Sequence, residues 1–138
     1  METQELKIYS DGGSRGNPGP AASAFVVIKN GELIHKENKF LGVKTNNFAE
    51  YAAVLMSMEW LVKNNNQTTV SVLHYVDSEL VANQLSGKYK IKSKNLIPLV
   101  SKIIFLLNNY KGKVKYIPVR RVKNVLSDAL VNEALDEN

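Results

Sequence analysis

Apolar and polar positions change period several times along the chain, and each change marks a predicted element. Leu6, Ile8 and the Tyr9–Ser10 step form a short strand, expected to stop at Asp11. From there Asp11-Gly12-Gly13-Ser14-Arg15-Gly16-Asn17-Pro18-Gly19-Pro20 is a dense run of turn residues. Ala22 to Lys29 is a continuous apolar strand, Asn30-Gly31 is a hairpin signal, and Glu32 to Leu41 returns. Tyr51, Leu55, Met58 and Val62 lie on one helical stripe, so Phe48 to Lys63 is predicted helical, with Thr45, Asn46 and Asn47 as N-cap candidates. Thr69 to Val76 is a β-branched strand, after which Asp77-Ser78 caps a helix to about Leu85, closed by Gly87. Lys88 to Lys94 is a basic loop or extended piece, Leu96 to Tyr110 a helix and Val114 to Val119 a strand. The last helix covers Ser127 to Leu135, with a start as early as Lys123. A β-β-β-α-β-α-α-β-α order predicts an α/β mixed sheet with helices packed on it.

Length and composition narrow the class. At 138 residues the chain is expected to form one domain over 1–138, large enough for a core without staples. It has no cysteine, which excludes a disulfide scaffold, a thiolate metal site and a cysteine nucleophile. No apolar run approaches the ~20 residues of a spanning helix, and no signal-peptide pattern is present. The expectation is a cytoplasmic protein, monomeric, with no membrane partner. The net charge of +5 hides a division. Leu80 to Ser127 holds eleven Lys and Arg and no acid, whereas the rest of the chain sums to −6. A basic block of this kind suits a polyanionic partner. If extended, Lys88, Lys90, Lys92 and Lys94 share one face and track a phosphate backbone.

Asp is scarce, and three of the four sit beside predicted element ends: Asp11, Asp77 and Asp128. Glu50 lies near the start of the first long helix. In a mixed sheet such ends gather on one edge. Carboxylates crowded there need a cation or shifted pKa values. An oxygen-only set suits hard Mg²⁺ or Mn²⁺ rather than zinc. Taken singly, each has a simpler account as a turn residue, an N-cap or a helix-dipole partner. Asp136, in a short tail, carries no assignment.

The neighbours of these carboxylates sharpen the reading. Tyr9 to Pro20, Thr45-Asn46-Asn47-Phe48-Ala49-Glu50-Tyr51, Val76-Asp77-Ser78-Glu79-Leu80-Val81 and Asn124 to Leu135 resemble, in order, the four motifs of type 1 ribonuclease H. The short Gly87-Lys88-Tyr89-Lys90 stretch is similar to bacterial and archaeal members without a large basic protrusion. The resemblance implies a ribonuclease H-like fold, three antiparallel strands then two parallel, with helices on both faces. It also implies a metal-dependent endonuclease that hydrolyses the RNA strand of RNA–DNA hybrids and leaves 5′-phosphate and 3′-hydroxyl ends. Asp11, Glu50, Asp77 and Asp128 would be catalytic and would hold two Mg²⁺ ions, with Mn²⁺ able to substitute. Gly12, Gly13, Ser14, Asn17, Thr45, Asn46, Asn47, Lys88, Lys90, Arg121 and Asn124 would contact the hybrid. Glycine at 12 and 13 would let the RNA backbone come close.

Two departures from the family pattern stand out. The loop Ile117 to Lys123 lacks the His that many members carry before the fourth motif, which bears on turnover rather than reaction type. Position 79 is Glu where a neutral amide is common. His35 and His74 fall in strands and are expected to be structural. The competing reading is a non-catalytic hybrid- or duplex-RNA-binding module on the same fold. A DNA-directed nuclease of the same superfamily is less compatible with the Gly-Gly and Thr-Asn-Asn motifs.

Overall fold

The computed structural model describes residues 5–65, 70–87, 93–120 and 123–138. Its elements are β1 (Glu5–Ser14), β2 (Gly19–Lys29), β3 (Glu32–Lys44), α1 (Asn46–Asn65), β4 (Ser71–Val76), α2 (Glu79–Leu85), α3 (Ile97–Asn109), β5 (Val114–Pro118) and α4 (Val125–Asp136). The five strands form one sheet in the order β3-β2-β1-β4-β5. The β1–β2 and β2–β3 pairs are antiparallel, and the β1–β4 and β4–β5 pairs are parallel.

Strand alternation sends neighbouring side chains to opposite faces. Ile8, Phe25, Val27, Val72 and Val76 pack with Tyr51, Val54 and Met58 of α1 and Ile103 of α3. Ala22 and Ala24 face the other way, against Val131, Ala134 and Leu135 of α4. Helices therefore cover both faces. The alanines keep the second face thin, so α4 lies close over β1 and β2.

Three departures from the sequence reading bear on the site. First, β1 does not stop at Asp11. Asp11, Gly12, Gly13 and Ser14 stay in the sheet opposite Ala24, Ser23, Ala22 and Ala21, and only residues 15–18 turn. Second, β3 continues past Leu41 to Lys44, passing through Gly42 at φ 78°. Third, α1 begins at Asn46, so Glu50 lies beyond the first turn and a helix-dipole account of it fails. Thr45 caps this helix, its Oγ1 accepting from Phe48 N–H at 3.1 Å.

Candidate active site

The parallel register assembles the site. The β1–β4 ladder ends at Ser10 opposite Val76, so the next residues along the chain are Asp11, still within β1, and Asp77, just past the end of β4. Helix α1 approaches the same edge at Gly12, where an added Cβ would lie 2.1 Å from the Ala49 carbonyl carbon and 2.4 Å from Glu50 N. Ser23 Oγ donates to the Ala49 carbonyl at 2.6 Å and fixes the contact. Glu50 is thereby set beside Asp11. One carboxylate oxygen from each of Asp11, Glu50 and Asp77 lies within 4.8 Å of the others. Asp11 is buried, and the other two are partly exposed.

The N-cap of α2 is the residue after Asp77, not Asp77 itself. Ser78 Oγ accepts from Val81 N–H at 3.2 Å as the N-cap of α2. Asp128 is in the first turn of α4. It is not one of the 4.8 Å group, but it lines a cavity of about 460 Å³ together with Asp11, Gly13, Asn46 and Asn132. Asn132 Nδ2 donates to the Asp128 carbonyl at 3.2 Å.

A buried polar set lies directly behind the carboxylates. Asn124 donates from Nδ2 to the Ser10 carbonyl at 2.9 Å, and Ser127 Oγ donates to Asn124 Oδ1. These bonds tie the start of α4, and so Asp128, to the strand that carries Asp11. On the opposite side of β1, Ser10 Oγ and His74 Nε2 are hydrogen-bonded at 2.8 Å. Tyr51, next to Glu50, donates to Gln84 Oε1. Burial first, and the Glu50 charge second, push its hydroxyl up to about 12.

Burial holds His74 neutral, with its pKa lowered from 6.5 to about 3. The unfolded chain takes up that proton near 6.5 and the folded chain does not. Between those values the unfolded state binds more protons, so stability falls as pH falls. The slope for one such group is at most about 1.4 kcal/mol per pH unit. Urea unfolding between pH 7 and pH 4 should show this acid limb. His74→Phe should flatten it, and an equally steep limb in that variant would mean other groups cause it.

A model of the RNase H family matches residues 3–137. The chain belongs to the RNase H family. It is 34% identical over 134 residues to ribonuclease HI of Halobacterium salinarum, covering 96% of this chain and 65% of that protein. It is 36% identical over 134 residues to the bifunctional protein Rv2228c of Mycobacterium tuberculosis, covering 96% of this chain and 36% of that one. The chain thus spans 36% to 65% of the length of these curated relatives. Among solved structures it is similar to LC11-RNase H1 in complex with an RNA/DNA hybrid, with a TM-score of 0.91, 35% identity and coverage of 96% and 97%. The RNase H1 structure from Halobacterium salinarum gives a TM-score of 0.88 at 32% identity, covering 97% and 99%.

The expected contact residues of this RNase H chain divide by position. Gly13 borders the cavity, and a Cβ there would meet only Val131 Cγ1 at 3.9 Å, so space is open beside it. Gly12 differs. It lines the same cavity, but the backbone of α1 takes the space at its Cα, so packing by itself already requires glycine there. Thr45, Asn46, Asn47 and Asn17 are exposed. Asn46 Oδ1 accepts from Ser14 N–H at 2.7 Å, and Asn17 Oδ1 accepts from Asn46 N–H at 3.1 Å. With their oxygens engaged, both side chains present NH₂ donors outward. Asn124 is corrected: at 1% exposure, with both ends of its amide bonded within the chain, it positions α4 and does not face a substrate. Lys88, Lys90 and Arg121 lie outside the described residues. The sequence reading missed Ser10, Ser23 and Ser127 as buried clamps. The only signal for them was a small polar residue at a position whose period calls for an apolar one.

Among the described residues, no helix is long and apolar enough to cross a membrane. The acidic cluster fits a divalent metal. All its donors are oxygens, which hard cations prefer, and three carboxylates held this close gain most from a shared cation.

Proposed function

We propose that this RNase H chain is a metal-dependent endonuclease acting on the RNA strand of RNA–DNA hybrids and leaving 5′-phosphate and 3′-hydroxyl ends. The observation that carries the reading is the convergence of Asp11, Glu50 and Asp77 beside a cavity also lined by Asp128. Asp11, Glu50, Asp77 and Asp128 would hold two Mg²⁺ ions, or Mn²⁺ in their place. When bound, such ions lower the pKa of a water and offset the charge that develops on the departing oxygen. The chain's own part is placement. The rigid β1–β4 register and the α1 contact at Gly12 fix three carboxylates, and the Asn124 clamp fixes the helix of the fourth.

Substrate choice follows from the cavity rim. The outward NH₂ groups of Asn17 and Asn46 suit the acceptors that base edges show in a minor groove. Glu50 accepts from a 2′-hydroxyl, the group that separates RNA from DNA. Lys88, Lys90 and Arg121 supply phosphate contacts along the basic stretch, and the protein works as a monomer.

The test is cleavage of a labelled hybrid with Mg²⁺, beside matched duplex DNA and duplex RNA. The hybrid's RNA strand should be cut with the other duplexes left intact. EDTA should stop cleavage, and excess Mg²⁺ should restore it. Hybrid binding with no cleavage in any divalent metal would favour the non-catalytic binding module instead.

A further inference from the structure

Asp136 is the aspartate that the sequence leaves without a role, and the structure gives it one. It ends α4, where its Oδ1 accepts from Arg15 Nη2 at 2.6 Å. Arg15 is the one basic side chain among the described residues that line the Asp11–Asp128 cavity. Its backbone is held firmly. Arg15 N–H donates to the Pro20 carbonyl at 2.8 Å, and Gly19 packs so close that a Cβ there would lie 2.2 Å from the Arg15 carbonyl oxygen. The preceding residue, Ser14, is bonded to Asn46. The guanidinium therefore extends from a fixed base at the rim of the site.

Its partner is easy to exchange. The two side chains are 49% and 66% exposed, and an ion pair in that setting contributes little. A phosphodiester oxygen satisfies a guanidinium as well as a carboxylate does, and in the same forked geometry.

Building on the hybrid-cleavage reading, we propose that Arg15 binds a backbone phosphate of the hybrid beside the cavity. Asp136 is then an internal anion that competes with this phosphate for the guanidinium. Arg15 raises substrate affinity, and Asp136 lowers it by occupying Arg15 in the free protein. Neither touches the reacting bond, so both act on KM and leave kcat in place.

The experiment is steady-state hybrid cleavage in Mg²⁺ by the parent chain, Arg15→Gln, Asp136→Asn and the double variant. Thermal melts confirm that each is folded. Arg15→Gln should raise KM about three- to fivefold and lessen the dependence of log KM on log salt by about 0.9, one phosphate contact. Asp136→Asn should lower KM by about two- to fivefold. In the Arg15→Gln background it should change nothing, since the competitor has lost its target. An unchanged KM in Arg15→Gln would overturn the phosphate contact. An equal gain from Asp136→Asn in both backgrounds would overturn the competition and leave only a general charge effect. A parent chain that does not cleave the hybrid would instead sink the functional reading on which the inference rests.

Discussion

Asp11→Asn should abolish hybrid cleavage while hybrid binding survives. Asp11 is 3% exposed, has a carboxylate oxygen within 4.8 Å of one from each of Glu50 and Asp77, and also lines the cavity with Asp128. It is the carboxylate common to both groupings, so its charge is the hardest to replace. Asparagine keeps the shape and one oxygen but removes the negative charge that draws a cation. The expected loss in kcat is on the order of a thousandfold or more, about 4 kcal/mol of transition-state stabilisation. A second measurement separates metal loss from misfolding. Mg²⁺ should raise the Tm of the parent chain, because a ligand that binds only the folded state stabilises it. The variant should melt at or above the metal-free parent, since one charge has left a crowded acidic group, and Mg²⁺ should then shift it little. Cleavage at a tenth of the parent rate or better would remove Asp11 from the metal assignment.

Much of this arrangement is legible in the sequence, and the failures share a cause. Period and turn chemistry locate all nine elements of the described residues, because a two-residue alternation and a helical stripe are local properties. The Asp11 to Pro20 stretch misleads because glycine has two uses. It permits turns, and it permits close approach between backbones. Gly12 serves the second purpose inside a strand, a difference visible only once α1 is in place. Likewise, the four carboxylates can be picked out from their flanking motifs, but their convergence depends on the β1–β4 register, which pairs residues far apart in the chain. Asn124 shows the limit of motif reasoning. The motif identifies the position, but the side chain's direction comes from the Ser10 carbonyl it meets. His74 and Ser10 sit at core positions of their strands, and only the fold shows that each is the other's partner.

That double use of glycine leads to the second large effect. Gly12→Ala should damage both stability and catalysis, whereas Gly13→Ala should spare stability. At position 12 the new methyl would meet the Ala49 carbonyl carbon at 2.1 Å, its oxygen at 2.2 Å and Glu50 N at 2.4 Å. All three are helix backbone, so no side-chain rotation relieves the contact, and α1 must move off β1. Overpacking of this kind costs about 1–3 kcal/mol, and a rigid backbone neighbour puts it at the top of that range or above. The displaced segment includes Glu50, so the folded variant should still cleave at least about tenfold more slowly than the parent, because a small misplacement of a catalytic group is costly. At position 13 the added methyl would meet only Val131 Cγ1 at an ordinary 3.9 Å, and stability should stay within about 0.5 kcal/mol. That methyl would project beside the cavity, so a rise in hybrid KM there would report a substrate strand passing close to Gly13. Urea unfolding of both variants, with cleavage assayed well below their melting temperatures, distinguishes the two roles. Equal stability losses at 12 and 13 would show that the α1 contact is not what requires glycine in this strand.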